Sequence, residues 1–111
     1  MIESFNNGLW VRGKQKIQFV PYDKITHIIF CEGVSEIRIG QKIVKKIHQP
    51  LIVMEKLFPE NTFFRIHRNF IINKAFIDSY DPDGKYISCT HGERLPVSRR
   101  KSKLLQIFIN N

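Results

Sequence analysis

The sequence predicts a mainly β domain with two short helices. Three observations lead there. Short runs of alternating or β-branched residues recur along the chain, Gly, Pro and Asp cluster between them, and helical apolar spacing occurs in only two places. With 111 residues the chain is read as one domain, 1–111, uninterrupted by any linker or internal repeat. Some eight to ten short strands are expected.

Residues 9–12 and 16–20 read as strands joined across Gly13-Lys14. In the second, Ile17 and Phe19 share one face and Lys16, Gln18 and Val20 the other. Pro21 ends the pairing, and Tyr22-Asp23-Lys24 leads into residues 25–31. That β-branched run suits a central strand, with Cys31 read as a small core residue. Glu32-Gly33-Val34-Ser35 is a turn or short loop. Residues 36–39 alternate, Gly40-Gln41 turns the chain, and residues 42–48 extend the meander. Pro50, followed by Leu51, Met54, Leu57 and Phe58 at helical spacing, predicts a helix near 50–57 that Pro59 stops. Two turns of helix do not stand alone, so this one must dock on a sheet. Residues 63–67 form a further strand, and residues 70–74 read as an irregular or single-turn segment. Residues 75–80 and 86–90 flank Asp81-Pro82-Asp83-Gly84-Lys85, strong turn chemistry. After His91-Gly92-Glu93 and residues 94–97, Leu104, Leu105 and Phe108 share helical spacing behind the N-cap candidate Ser98, predicting a helix near 99–109.

Hydrophobic residues are 42% and charged residues 25%, a composition that packs a core. No apolar run approaches the ~20 residues that span a bilayer. The first six residues lack a basic-then-apolar leader, so a cytoplasmic, reducing setting is expected. Cys31 and Cys89 make neither a disulfide framework nor a four-ligand zinc site. The net charge of +8 is uneven, with +1 on residues 1–40 and +7 on residues 41–111. Arg94, Arg99, Arg100, Lys101 and Lys103 occupy one acid-free stretch. Such a field attracts polyanions, whether nucleic acid, anionic membrane or acidic protein.

Enzymatic constellations are weak. Asp81-x-Asp83-Gly84 opens like a calcium loop, but no Glu closes it, and these are the residues a tight turn requires. Pro82-Asp83-x-Lys85 lies in that same turn, unlike the separated Asp and Lys of a metal-dependent nuclease. His27, His48, His67 and His91 are scattered, without metal-ligand spacing. No catalytic set, metal or cofactor is expected.

Two basic segments are more informative. Arg65-Ile66-His67-Arg68-Asn69 lies where a strand ends, and Ser98-Arg99-Arg100-Lys101-Ser102-Lys103 where a helix begins. A helix N-terminus offers free N–H groups and a positive dipole end, both suited to phosphate, and Ser98 and Ser102 add hydroxyls. Arginine can chelate guanine O6 and N7, while lysine serves the phosphate backbone. Three cations at a helix start oppose the dipole, a cost that a bound anion relieves.

At these residues the chain resembles a known family. Phe63-Phe64-Arg65-Ile66-His67-Arg68-Asn69-Phe70-Ile71-Ile72-Asn73-Lys74-x-x-Ile77, then Asp83-Gly84-Lys85, then Gly92-Glu93-Arg94-Leu95-Pro96-Val97-Ser98-Arg99-Arg100 is similar to the LytTR family, the DNA-binding output domains of bacterial response regulators in two-component systems. Asp23-Lys24-Ile25-x-His27-Ile28-x-x-x-Glu32-Gly33 and the helix near 50–57 match its first half, so the resemblance runs from about Leu9 to Phe108. It implies an elongated set of small antiparallel sheets whose loops, rather than a recognition helix, read successive major grooves. By motif it places Arg68 and Arg100 at base edges, with a third contact at Ser35, or at Glu36 if the register slips by one. Asn69, Ser98, Arg99, Lys101, Ser102 and Lys103 would be DNA-backbone contacts, and His67 an orienting or a core residue. The acids of the 32–36 loop would lie close to DNA, where a carboxylate can accept from cytosine N4. The implied partner is double-stranded DNA, two copies of the domain on a repeated site, in transcription regulation. Family members usually carry an upstream receiver domain and these residues hold none, which leaves two inputs open, a stand-alone regulator or one that depends on a separate sensor or partner protein.

Two other readings share the charge. A single-stranded nucleic-acid binder needs aromatics on an exposed strand face, whereas most of the thirteen here alternate as core residues. The other is a basic interaction module for an acidic protein or an anionic membrane.

Overall fold

The computed structural model describes residues 2–5 as backbone and residues 7–111 in full, and within them lie eleven strands and two helices. β1 (Ile2–Phe5), β2 (Gly8–Arg12) and β3 (Ile17–Pro21) form one antiparallel meander. β4 (His27–Cys31), β5 (Val34–Ile39) and β6 (Lys42–Ile47) follow, then helix α1 (Leu51–Met54) with a 3-10 turn over Glu55–Leu57. β7 (Phe63–His67) and β8 (Phe70–Asn73) join β4–β6 in a five-stranded sheet ordered β6-β5-β4-β8-β7. β9 (Ile77–Asp81), β10 (Tyr86–Cys89) and β11 (Arg94–Pro96) form the third sheet, and α2 (Ser102–Asn110) closes the chain. The β-branched run at 25–31 does become the central strand: β4 pairs with β5 on one side and β8 on the other.

Period-two alternation gives the middle sheet two apolar faces. On β8, Ile71 packs into a first core with Ile28, Ile37, Leu9, Val20 and Phe63, while its neighbour Ile72 packs into a second with Ile66, Ile87, Leu95 and Val97. Leu51 and Met54 of α1 seal the first core, and Leu105 and Phe108 of α2 the second. The layered result is elongated, 45 × 29 × 24 Å. No helix among the described residues is long and apolar enough to cross a membrane.

Several expectations are corrected. Residues 70–73 are a strand: Phe70, Ile71 and Ile72 satisfy their backbone groups between β4 and β7, where a turn would leave them buried and unpaired. Eleven strands replace eight to ten. Val20 points into the core with Leu9 and Val11, and Ile17 is half exposed, because the outer face of this sheet is taken by the cross-strand pair Trp10 and Phe19, ring centroids 5.1 Å apart. Cys31 is exposed, since it borders the β4–β5 turn, whereas Cys89 is buried, and that burial raises its thiol to about 11. On α2, Leu104 faces solvent while Leu105 and Phe108 pack. The turn at 82–85 holds as read, with Asp81 Oδ1 accepting from the Asp83 and Gly84 amides at 3.0 and 2.9 Å.

One buried polar side chain ties the layers together. Asn73 Nδ2 donates to the carbonyls of Tyr22 (3.1 Å) and Ile25 (2.9 Å), and its Oδ1 accepts from Ala75 N–H at 2.9 Å. It thereby fixes the chain entering β4 against the end of β8. Asn73→Ala strands the Ile25 carbonyl and the Ala75 amide and leaves the Tyr22 carbonyl with its bond from the Ile25 amide, so it should lower unfolding free energy by about 2–3 kcal/mol. Urea denaturation followed by far-UV circular dichroism checks this.

Candidate nucleic-acid interface

The β7–β8 ladder pairs Arg65 with Ile71 and then His67 with Phe70, leaving Ile66 out of register. Such a bulge turns a side chain and frees backbone groups. Here the Ile66 side chain is fully buried in the second core, and its carbonyl accepts the Ser98 amide at 2.8 Å. That bond joins the two basic segments. They share a cleft of about 410 Å³ lined by Arg65, His67, Arg68, Ser98, Arg100 and Lys101, with Glu55 as its acid.

Arg68 and Asn69 form the two-residue turn between β7 and β8, held at three backbone points. Asn69 N–H donates to His67 Nδ1 (3.1 Å), Phe30 N–H donates to the Asn69 carbonyl (2.8 Å), and Arg65 Nη2 donates to the Arg68 carbonyl (2.9 Å). Arg65 is itself anchored by Glu55 at 3.1 Å. Arg68 remains exposed. Desolvation, then the guanidiniums of Arg68 and Arg65, hold His67 below the usual imidazole range, leaving Nδ1 unprotonated to accept from Asn69. Arg65, named in the basic segment but given no role there, and Glu55, which the sequence did not single out, are members of this site. The signal present was a strand arginine preceding a turn and an acid on the docked helix, but only the fold pairs them.

In the second segment, Arg99–Lys101 form a 3-10 turn and α2 proper begins at Ser102. Ser98 has extended cap geometry (φ −70°, ψ 149°), yet its side chain makes no cap bond, correcting that expectation; its amide is spent on Ile66 instead. Arg99, Arg100 and Lys103 are exposed, and Lys101 Nζ lies 5.7 Å from the Phe64 ring centroid. The Ser102 hydroxyl is bonded to the Tyr80 hydroxyl, so it packs α2 against β9. No acid occupies the first turn of α2.

The first-half loop is not built as expected. Glu32 (φ 52°) and Gly33 (φ 80°) make a two-residue hairpin turn, and Val34 and Ser35 already belong to β5. Ser35 is 0% exposed and its hydroxyl donates to the Gln49 carbonyl at 2.5 Å, so it has no free face for a base. Glu36 is half-buried and ion-paired with Arg38 at 2.5 Å. Neither stands in the cleft with Arg68 and Arg100.

The histidines are not all scattered. His27, buried on β4, and His91, in the β10–β11 turn, stack with ring centroids 5.5 Å apart beside Glu93. Burial first, opposed by Glu93 and reinforced by His91 and Arg38, lowers the His27 pKa to about 4. Residues so far apart in sequence carry no spacing signature. Among the described residues Trp10 is the only aromatic that is exposed, and it sits on a different sheet from the cleft. Among the described residues, those lining the cleft include no Phe, Tyr or Trp.

Comparison with known proteins bears on family and fold. The LytTr DNA-binding domain family model matches residues 15–110. The chain is 33% identical over 88 residues to the sensory transduction protein LytR of Staphylococcus haemolyticus, and 36% identical over 96 residues to the sensory transduction protein LytT of Bacillus cereus. These alignments cover 77% and 84% of this chain but only 34% and 39% of the relatives, so it spans little more than a third of their length. In fold it is similar to a solved LytTr DNA-binding domain from Bacillus cereus, at TM-score 0.80 and 22% identity, over 96% of this chain and 100% of that one.

The His67 geometry sets a pH response. With its pKa lowered on folding, the unfolded chain takes up the proton first. The stability this neutral imidazole contributes is complete above about 6.5 and is lost as pH falls through the lower folded value. In an NMR titration the His67 ring protons should turn below pH 6.5, and the Asn69 amide should shift with the same midpoint.

Proposed function

The chain belongs to the LytTr DNA-binding domain family, and from that premise we propose that it regulates transcription by binding double-stranded DNA at a specific sequence, through loops inserted into the major groove. One observation carries the reading: the Ser98–Ile66 hydrogen bond gathers Arg68 and Arg100 into a single basic cleft. A major groove about 12 Å wide admits a two-stranded ribbon, which is what the β7–β8 hairpin presents at the sheet edge. Exposed Arg68 and Arg100 discriminate bases, while Arg99, Lys101 and Lys103 neutralise phosphates by counterion release. The Asn69 side chain and the Ser98 hydroxyl serve the backbone, and His67 orients the turn that carries Arg68. Ser102 acts indirectly, by fixing the start of α2. A third base contact from the first half falls to the Glu32–Gly33 turn rather than to Ser35 or Glu36, which are buried or paired.

A domain this small covers a short footprint, so two copies on a repeated site complete the operator. The reading includes no catalytic step. It places the domain in the cytoplasm.

Selection of bound sites from a random duplex library supplies the operator, and fluorescence anisotropy then separates the roles. Arg100→Ala and Arg68→Ala should each cost ~1–3 kcal/mol at one base pair and relax preference there. Lys103→Ala should weaken all duplexes alike and flatten the log–log salt slope by about 0.9. Equal losses on operator and scrambled duplexes for all three variants would reject the division of labour.

A further inference from the structure

We propose that His27, His91 and Glu93 form a binding site for one divalent transition-metal ion, which clasps the middle sheet to the β10–β11 turn. His27 Nε2 lies 3.3 Å and His91 Nε2 3.1 Å from the same Glu93 Oε1, and the three ligand atoms all fall within 4.8 Å of one another. A tetrahedral ion holding ligands at ~2.0–2.1 Å sets them about 3.3 Å apart, so the two separations to Glu93 already suit zinc, and the two imidazoles complete the set within the 4.8 Å that bounds the cluster.

The tautomer of His27 supports an occupant. Its Nδ1 is 2.7 Å from the Thr26 hydroxyl, which donates to the Arg38 carbonyl (3.1 Å) and accepts from Gly40 N–H (3.0 Å). In the tautomer that keeps the hydroxyl proton on Arg38 and donates from Nδ1 to Thr26, Nε2 carries a bare lone pair. His27 is 0% exposed, and this Nε2 has no hydrogen-bond partner although a carboxylate oxygen stands beside it. A lone pair facing a carboxylate is repulsive until a cation lies between them. A metal-ligating histidine has this arrangement, one nitrogen on the ion and the other held by a fixed acceptor. Two imidazoles and one carboxylate suit zinc, cobalt or nickel better than calcium or magnesium. Glu93 and His91 are partly exposed, which leaves an entry path and a fourth position for water.

The ion would fix β4 to the turn from which β11 leads through Val97 to the Arg100 segment. The site shares no residue with the basic cleft, so it stands or falls apart from the DNA reading.

The test titrates zinc into the metal-free full chain by calorimetry, with thermal melting and the visible spectrum of the cobalt-loaded protein alongside. One equivalent should bind and raise the melting temperature, and cobalt should give the intense visible bands of tetrahedral coordination. His91→Ala and Glu93→Gln, both in the turn, should each weaken binding at least about tenfold. His48→Ala, an exposed histidine just past β6, should leave it unchanged. Failure to bind zinc, with a pH-dependent melt as the sole response, overturns the proposal in favour of a shared proton. Equal binding by His91→Ala and Glu93→Gln, or loss in His48→Ala, overturns it as well.

Discussion

By dropping out of the β7–β8 register, Ile66 commits its side chain to the second core while its carbonyl reaches the Ser98 amide, and the basic rim follows from that one irregularity. A single backbone hydrogen bond contributes on the order of 1 kcal/mol and could not align two segments unaided. The packing beneath it does so: Ile66, Leu95, Val97 and Leu105 are all within 4% of complete burial, on both sides of the joint. Ser98 therefore begins the cationic turn at a fixed height above the strand that leads into the Arg68 turn. Where a regular ladder would have spent the Ile66 carbonyl on β8, the bulge makes it available to the next layer.

The rim gathers like charges, which repel when no anion is present. The fold offsets this locally. Glu55 pairs with Arg65, Lys101 rests near the Phe64 ring, and His67 stays neutral between two arginines. The Arg68–Asn69 turn is already held at three backbone points, so little of its conformational freedom remains to be lost on binding. Rigid backbone and exposed side chains are separated here, the first supplied by hydrogen bonds and the second left for a partner.

Most of this architecture was legible in the residues, because period-two alternation and turn chemistry are local signals. The β4 run, the Asp81–Gly84 turn and the Leu51/Met54 helix were all readable that way. What escaped depends on partners far along the chain. Residues 70–73 looked irregular since Phe70-Ile71-Ile72 has no alternation; a strand covered on both faces needs none. Ser35 looked like a loop residue because the position of a two-residue turn depends on which residues accept positive φ, and Glu32 does so beside Gly33. Both basic segments were visible as segments, but their meeting required the bulge. The pairing of His27 with His91 had no sequence signature at all.

Ile71 and Ile72, adjacent on β8, face opposite cores, so each apolar cluster uses the reverse side of the same strand as its wall. Neither half can open without stripping one surface of the sheet that the other half needs. Loosening at the β1–β3 end is thus felt at α2, an arrangement that favours one cooperative unfolding transition over two stages.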